Sequence, residues 1–170
     1  MKKLIAFGCL SYFIIGSVQV AAGSVMEPMT AHYGRDYADG GQFVFNQFAG
    51  FLVGVLALPR LLERLGERRA LTLAYAVLTA AELAFALRPP WGWMLAAAPL
   101  AGVGVGMIEA IVGAMIIEHV RERKAETMNR LEVFFGLGAL LIPIVSGLFI
   151  RILLWNGAFI AIAAAALTAL

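Results

Sequence analysis

The chain has 170 residues, 62% of them hydrophobic and 14% charged, and a mean hydropathy of +0.88; soluble domains have roughly 45–50% apolar and about 25% charged residues. This composition excludes a water-soluble fold. The net charge is only +2, and Cys9, the single cysteine, excludes an intrachain disulfide and any CxxC or Cys/His metal site.

The apolar residues come in runs separated by short charged stretches, and each run is long enough to cross an apolar layer about 30 Å thick as a helix. Six spans are predicted, at about residues 4–26, 43–60, 70–87, 93–117, 131–150 and 153–170. Helix is required because a spanning segment must satisfy its own backbone hydrogen bonds. The runs are also continuous, without the alternation of an outer-membrane barrel. Three spans followed by three more in opposite orientation would make an all-α membrane fold of two inverted three-helix repeats.

In the first span Tyr12, Gly16, Gln19, Gly23 and Glu27 recur at three- or four-residue steps, placing small and polar groups on one face. That face reads equally as a glycine-mediated helix contact and as a cavity lining, and Gln19 favours the cavity. A cleaved signal peptide is the competing reading of residues 1–26. The apolar run is longer than the usual h-region of about 7–15 residues, however, and cleavage would reverse the parity of the remaining spans. In the second span Asn46 and Gln47 precede a Gly50–Gly54 step, and either amide serves as interhelical glue or as a solute ligand.

Glu82 in the third span is intramembrane but lies six residues before Arg88, within reach of interfacial water. In the fourth, Gly102, Gly106, Ala110 and Ala114 repeat every four residues and predict close helix packing; the glycine string opens no strand-turn-helix unit and is not a nucleotide loop. Glu109 lies near the centre of that span, where an ionised carboxylate costs on the order of 2.5–3.5 kcal/mol. It is the expected coupling acid, taking a proton from one side and releasing it to the other. The fifth span carries Asn129, Glu132, Gly136, Ala139, Pro143 and Ser146 along one face, with Gly147 beside it, and Pro143 predicts a kink. The sixth stops at Leu170 without a basic flank, which suggests a truncated chain.

Lys2, Lys3, Arg60, Arg64, Arg68, Arg69, Arg121, Arg123, Lys124 and Arg130 all fall on one side of this topology, against Arg35, Arg88 and Arg151 on the other. That asymmetry puts both termini in the cytoplasm of a cell or inner membrane. No nucleophile–base pair, metal cluster or cofactor motif is present, and His32 and His119 fall at span ends, so no enzyme activity, cofactor or metal is expected. Nothing in the sequence calls for nucleic acid.

Three passages resemble the major facilitator superfamily, in particular its fucose-permease-like branch of sugar and cation symporters. Pro59–Arg69 is similar to the superfamily's loop motif between helices two and three: Arg64, Gly66, Arg68 and Arg69 match, Glu63 replaces an aspartate, and Pro59 replaces a glycine. The resemblance implies a cytoplasmic gate at this loop. Gly102–Ala110 is similar to the branch's fourth-helix pattern, whose coupling glutamate falls on Glu109. Met128–Gly147 looks like its fifth-helix pattern, with Asn129, Glu132, Gly136, Gly138, Pro143 and Gly147 in register. Two departures concern the substrate: Ser24 stands where members often have an acid, and Gly113 where an asparagine usually lies.

The expected function is that of the N-terminal half of a secondary active transporter that moves a small polar solute, such as a sugar, by alternating access with proton coupling. Its partners would be the solute, membrane lipid, and either a C-terminal six-helix half or a second copy of itself. Competing readings are an efflux antiporter, a homodimeric half-transporter and a membrane assembly module. Gln19, Asn46, Gln47 and Glu82 accompany Glu109 as candidate proton or solute ligands.

Overall fold

The computed structural model describes residues 2–120 and 122–169. Arg121, one of the basic residues that set the expected orientation, and Leu170, the end of the sixth expected span, lie outside the described residues. The chain forms α1 (Lys2–Ser24), α2 (Met26–Tyr33), α3 (Tyr37–Ala86), α4 (Trp91–His119), α5 (Lys124–Arg151) and α6 (Gly157–Thr168).

The first expected span is α1, and a further short helix follows it. α1 ends at Ser24, and the short α2 follows until Gly34 turns the chain at φ 61°. Asp36 then starts α3, its carboxylate accepting the Asp39 N–H at 2.9 Å.

At about 1.5 Å per residue, the 50 residues of α3 would make a rod of about 75 Å, far longer than a bilayer needs. The helix breaks at Gly66, where φ is 74° and ψ 164°, a backbone state that glycine adopts without strain. Gly102 of α4 lies against the Gln47 carbonyl, and Gly104 against Ala74 and Leu78. Both arms of α3 therefore flank the same turns of α4, and the chain doubles back at Gly66. Where the sequence suggested two spans joined by a loop, helix continues to within one residue of the reversal. Leu61 and Leu62 still pack on the core while Glu63, Arg64, Arg68 and Arg69 stay exposed, so the charged stretch has no need to leave the helix.

Among the described residues four helices, α1, α3, α4 and α5, are long and apolar enough to cross a membrane. α6 has 12 residues and begins at Gly157 rather than at 153. The reason is a turn before it: Leu153 has φ 60°, and the Asn156 amide donates to the Ala86 carbonyl at 2.6 Å, pinning the turn to the end of α3.

Glycines bring two pairs of helices into backbone contact. Where α1 crosses α5, Gly16 faces the Phe135 carbonyl and Gly138 faces the Phe13 carbonyl. Where the first arm of α3 crosses α4, Gly106 faces the Phe51 carbonyl and Gly54 the Val103 carbonyl, with Gly102 and Gly50 repeating the arrangement one turn away on Gln47 and Pro99. In both crossings the facing carbonyl lies three residues before the partner's own glycine. A Cβ at any of these positions would run into backbone, so the absence of a side chain is what permits the approach. Buried hydroxyls add a tie between α1 and the second arm of α3. Tyr75 donates to Ser11 Oγ at 2.7 Å, and Ser11 donates to the Phe7 carbonyl at 2.8 Å.

Candidate solute and proton site

Val105, Glu109 and Gly113 are four residues apart and share one face of α4. Above Glu109, Gln19 of α1 and Gln47, Phe48 and Phe51 of α3 line a narrow cleft with Gly102 and Val105 of α4. Below it, the Tyr12 hydroxyl reaches to 3.6 Å from the point where a Cβ on Gly113 would lie. Gln19 thus stands level with Val105, and Tyr12 level with Gly113. Glu109, half-buried, lies between them on the same seam. Glu132 on α5 is close enough for its charge to act on both Tyr12 and Glu109.

Two amides, a phenol and the Glu109 carboxyl therefore border one seam whose upper part is walled by phenylalanine rings. The amides donate and accept at once, as a polyhydroxylated solute requires, and the rings supply apolar surface. Tyr12 fits beside α4 because Gly113 has no side chain, so the place where the asparagine of the resembled branch would stand is filled from α1.

The other expected site residues divide by position. Asn46 donates to the Leu95 carbonyl at 3.3 Å and acts in packing between α3 and α4. Glu82 is apart from the cleft, 1% exposed in the core on the second arm of α3. The expected small-polar face of α1 is split, with Gly16 packed on α5, Gln19 in the cleft and Gly23 with nothing within 4 Å. On α5, Gly138 is part of the α1 crossing. Asn129, Glu132, Gly136, Pro143 and Gly147 are exposed, and nothing lies within 4 Å of where a Cβ on Gly136 or Gly147 would be. The gate residues Glu63, Arg64, Gly66, Arg68 and Arg69 sit exposed around the α3 reversal, and among the described residues none of their charges forms an ion pair. Sequence reasoning placed Tyr12 with Gln19 on one face of α1 but missed Phe48 and Phe51 as walls; their place one residue and one turn beyond Gln47 was the available signal.

The profile of the Major Facilitator Superfamily matches residues 8–170, nearly the whole chain. The chain belongs to the major facilitator superfamily. Among its relatives, the glucose/mannose transporter GlcP of Bacillus subtilis (strain 168) is 36% identical over 149 residues, which cover 88% of this chain and 37% of that protein. The chain thus spans well under half the length of this relative. Membership makes it an integral membrane protein of a transporter family, not an enzyme.

Proposed function

We propose that this chain is the N-terminal six-helix half of a proton-coupled sugar transporter. The observation that carries the reading is the cleft that Gln19 of α1 and Gln47 of α3 line with Val105 of α4, with Glu109 one helical turn from Val105 on the same face of α4. Support for a sugar comes from that donor–acceptor chemistry and from the 36% identity to a glucose/mannose transporter. In this reading the two arms of α3 are the second and third spans, α6 is the sixth, and the N-terminus is cytoplasmic. The matching registers of the Gly16/Gly138 and Gly106/Gly54 crossings support two inverted three-helix repeats.

The solute would bind where the seam meets a second six-helix half. That half would cover the exposed faces of α3 and α5, which carry Phe45, Leu52, Leu56, Leu140 and Ile144. Glu109 would alternate between an ionised form facing water and a neutral form that the closed seam tolerates, so that closure requires a proton. Around Gly66, Glu63 and the arginines would form breakable ion pairs with the second half on the cytoplasmic side.

The test is Glu109→Gln in the protein that carries both halves. Uphill hexose accumulation driven by a proton gradient should be lost while hexose exchange across the membrane persists. Unaltered accumulation would remove Glu109 from coupling, and loss of exchange as well would make it a binding residue only.

A further inference from the structure

The second arm of α3 carries a polar row that the cleft does not use. Tyr75, Thr79, Glu82 and Ala86 follow one another at steps of four, three and four residues, so they rise along one face by about 6, 4.5 and 6 Å. Tyr75 is 0%, Thr79 6% and Glu82 1% exposed. Both ends of the row are satisfied: Tyr75 donates to Ser11, and the Ala86 carbonyl accepts from Asn156. The middle is not. Thr79 Oγ1, Glu82 Oε2 and Asn156 Oδ1 are buried without a hydrogen-bond partner among the described residues.

An ionised carboxylate in such a place requires a counter-charge, and the helices around it bring none. α6 contains no titratable side chain; between their ends, α1 offers only Cys9 and Tyr12, and α4 only Glu109, which lies towards Tyr12, while on α2 the His32 and Tyr33 rings are packed against Trp155 at 5.4 and 6.0 Å. On α3 itself the nearest titratable group is Tyr75, already bonded to Ser11. At the outer end, Arg88 is stacked over the Trp155 ring at 5.8 Å. A neutral carboxyl is the form this surrounding accepts, because its O–H can donate and its remaining oxygen can accept. Buried polar groups are satisfied by protein partners or by ordered water, and no protein group among the described residues satisfies Thr79 Oγ1, Glu82 Oε2 or Asn156 Oδ1.

We propose that Glu82 is a second proton-binding site, a neutral carboxylic acid inside the bundle, linked by bridging water to Thr79 and Asn156 and separate from the cleft at Glu109. The only bond made or broken is the O–H bond of the carboxyl, its proton exchanged with water. The inference does not depend on the chain being a sugar transporter, since it concerns the charge state of one side chain in the folded protein.

Infrared spectroscopy of the chain in lipid nanodiscs tests it. At neutral pH the spectrum should contain the carbonyl stretch of a protonated carboxyl that disappears in Glu82→Gln, persists in Glu109→Gln and is indifferent to sodium. It should move in heavy water, because the proton exchanges through the bridging molecules. Thr79→Val should shift it, which keeps the test decisive if Glu82→Gln does not fold. A band unaffected by both substitutions, or one converted to carboxylate by sodium, overturns the proposal, the latter outcome in favour of a cation site.

Discussion

The seam of α1, α3 and α4 and the α5 face beside it use the same residue types as the sealed interior, to different ends. Glu109 is half-buried beside a cleft, whereas Glu82 is 1% exposed. On α5, Gly138 lies against the Phe13 carbonyl, while Gly136, two residues away, has nothing within 4 Å. Two residues turn a helix by about 200°, so one of these glycines is a packing device and the other a small spot on an open surface. The tyrosines are both buried but differ in their hydroxyls: Tyr75, 0% exposed, is bonded to Ser11, and Tyr12, 3% exposed, extends its hydroxyl towards Gly113. What a residue does here depends on which side of its helix it occupies more than on what it is.

The largest expected effect comes from forcing a side chain into the sealed side. Gly102→Leu should destabilise the chain by about 3 kcal/mol, since its Cβ would run into the Gln47 carbonyl. Gly136→Leu should change stability by no more than about 0.5 kcal/mol. Thermal unfolding of both variants in one detergent measures the difference, and equal losses would abolish the distinction between the two sides. At the reversal of α3, Gly66→Ala should cost about 1–3 kcal/mol, because φ 74° with ψ 164° is a backbone state essentially confined to glycine. An unchanged unfolding midpoint would mean that the chain turns there without strain.

The tyrosines give the smallest shift and the finest separation. Tyr75→Phe should lose about 1 kcal/mol of stability by leaving the buried Ser11 hydroxyl without its donor. Tyr12→Phe removes no intramolecular hydrogen bond among the described residues, so it should cost less stability than Tyr75→Phe but weaken hexose binding in the two-half protein by about tenfold, as expected for one lost hydrogen bond. Paired unfolding and binding measurements decide, and a Tyr12 variant that only unfolds more easily would return that residue to the core.

Much of this was legible in the sequence because a bilayer restricts what a chain can do. Long apolar runs admit only helix, and glycines at four-residue steps imply backbone contact, as the crossing of α3 and α4 bears out at Gly50, Gly54, Gly102 and Gly106. The passages around Gly66, Glu109 and Pro143 also carried enough local pattern to indicate the superfamily that the profile match establishes. Less legible was the division of labour within one helix: the expected α1 face of Tyr12, Gly16, Gln19 and Gly23 serves three different surroundings, because the bundle presents three neighbours to a face that helical periodicity treats as one.

Composition and periodicity by themselves determined that the chain is helical, that it belongs in a membrane, and which of its residues are too polar for lipid. Tertiary structure alone decided that α3 doubles back at a single glycine, that Asn46 is bound in packing while Gln47 reaches the cleft, and that Glu82 is sealed while Glu109 is not. The physical reason is that helical spacing defines a residue's angle on its own axis, whereas its surroundings depend on how closely neighbouring axes approach. In this protein that distance is set by glycines meeting carbonyls far away in the sequence.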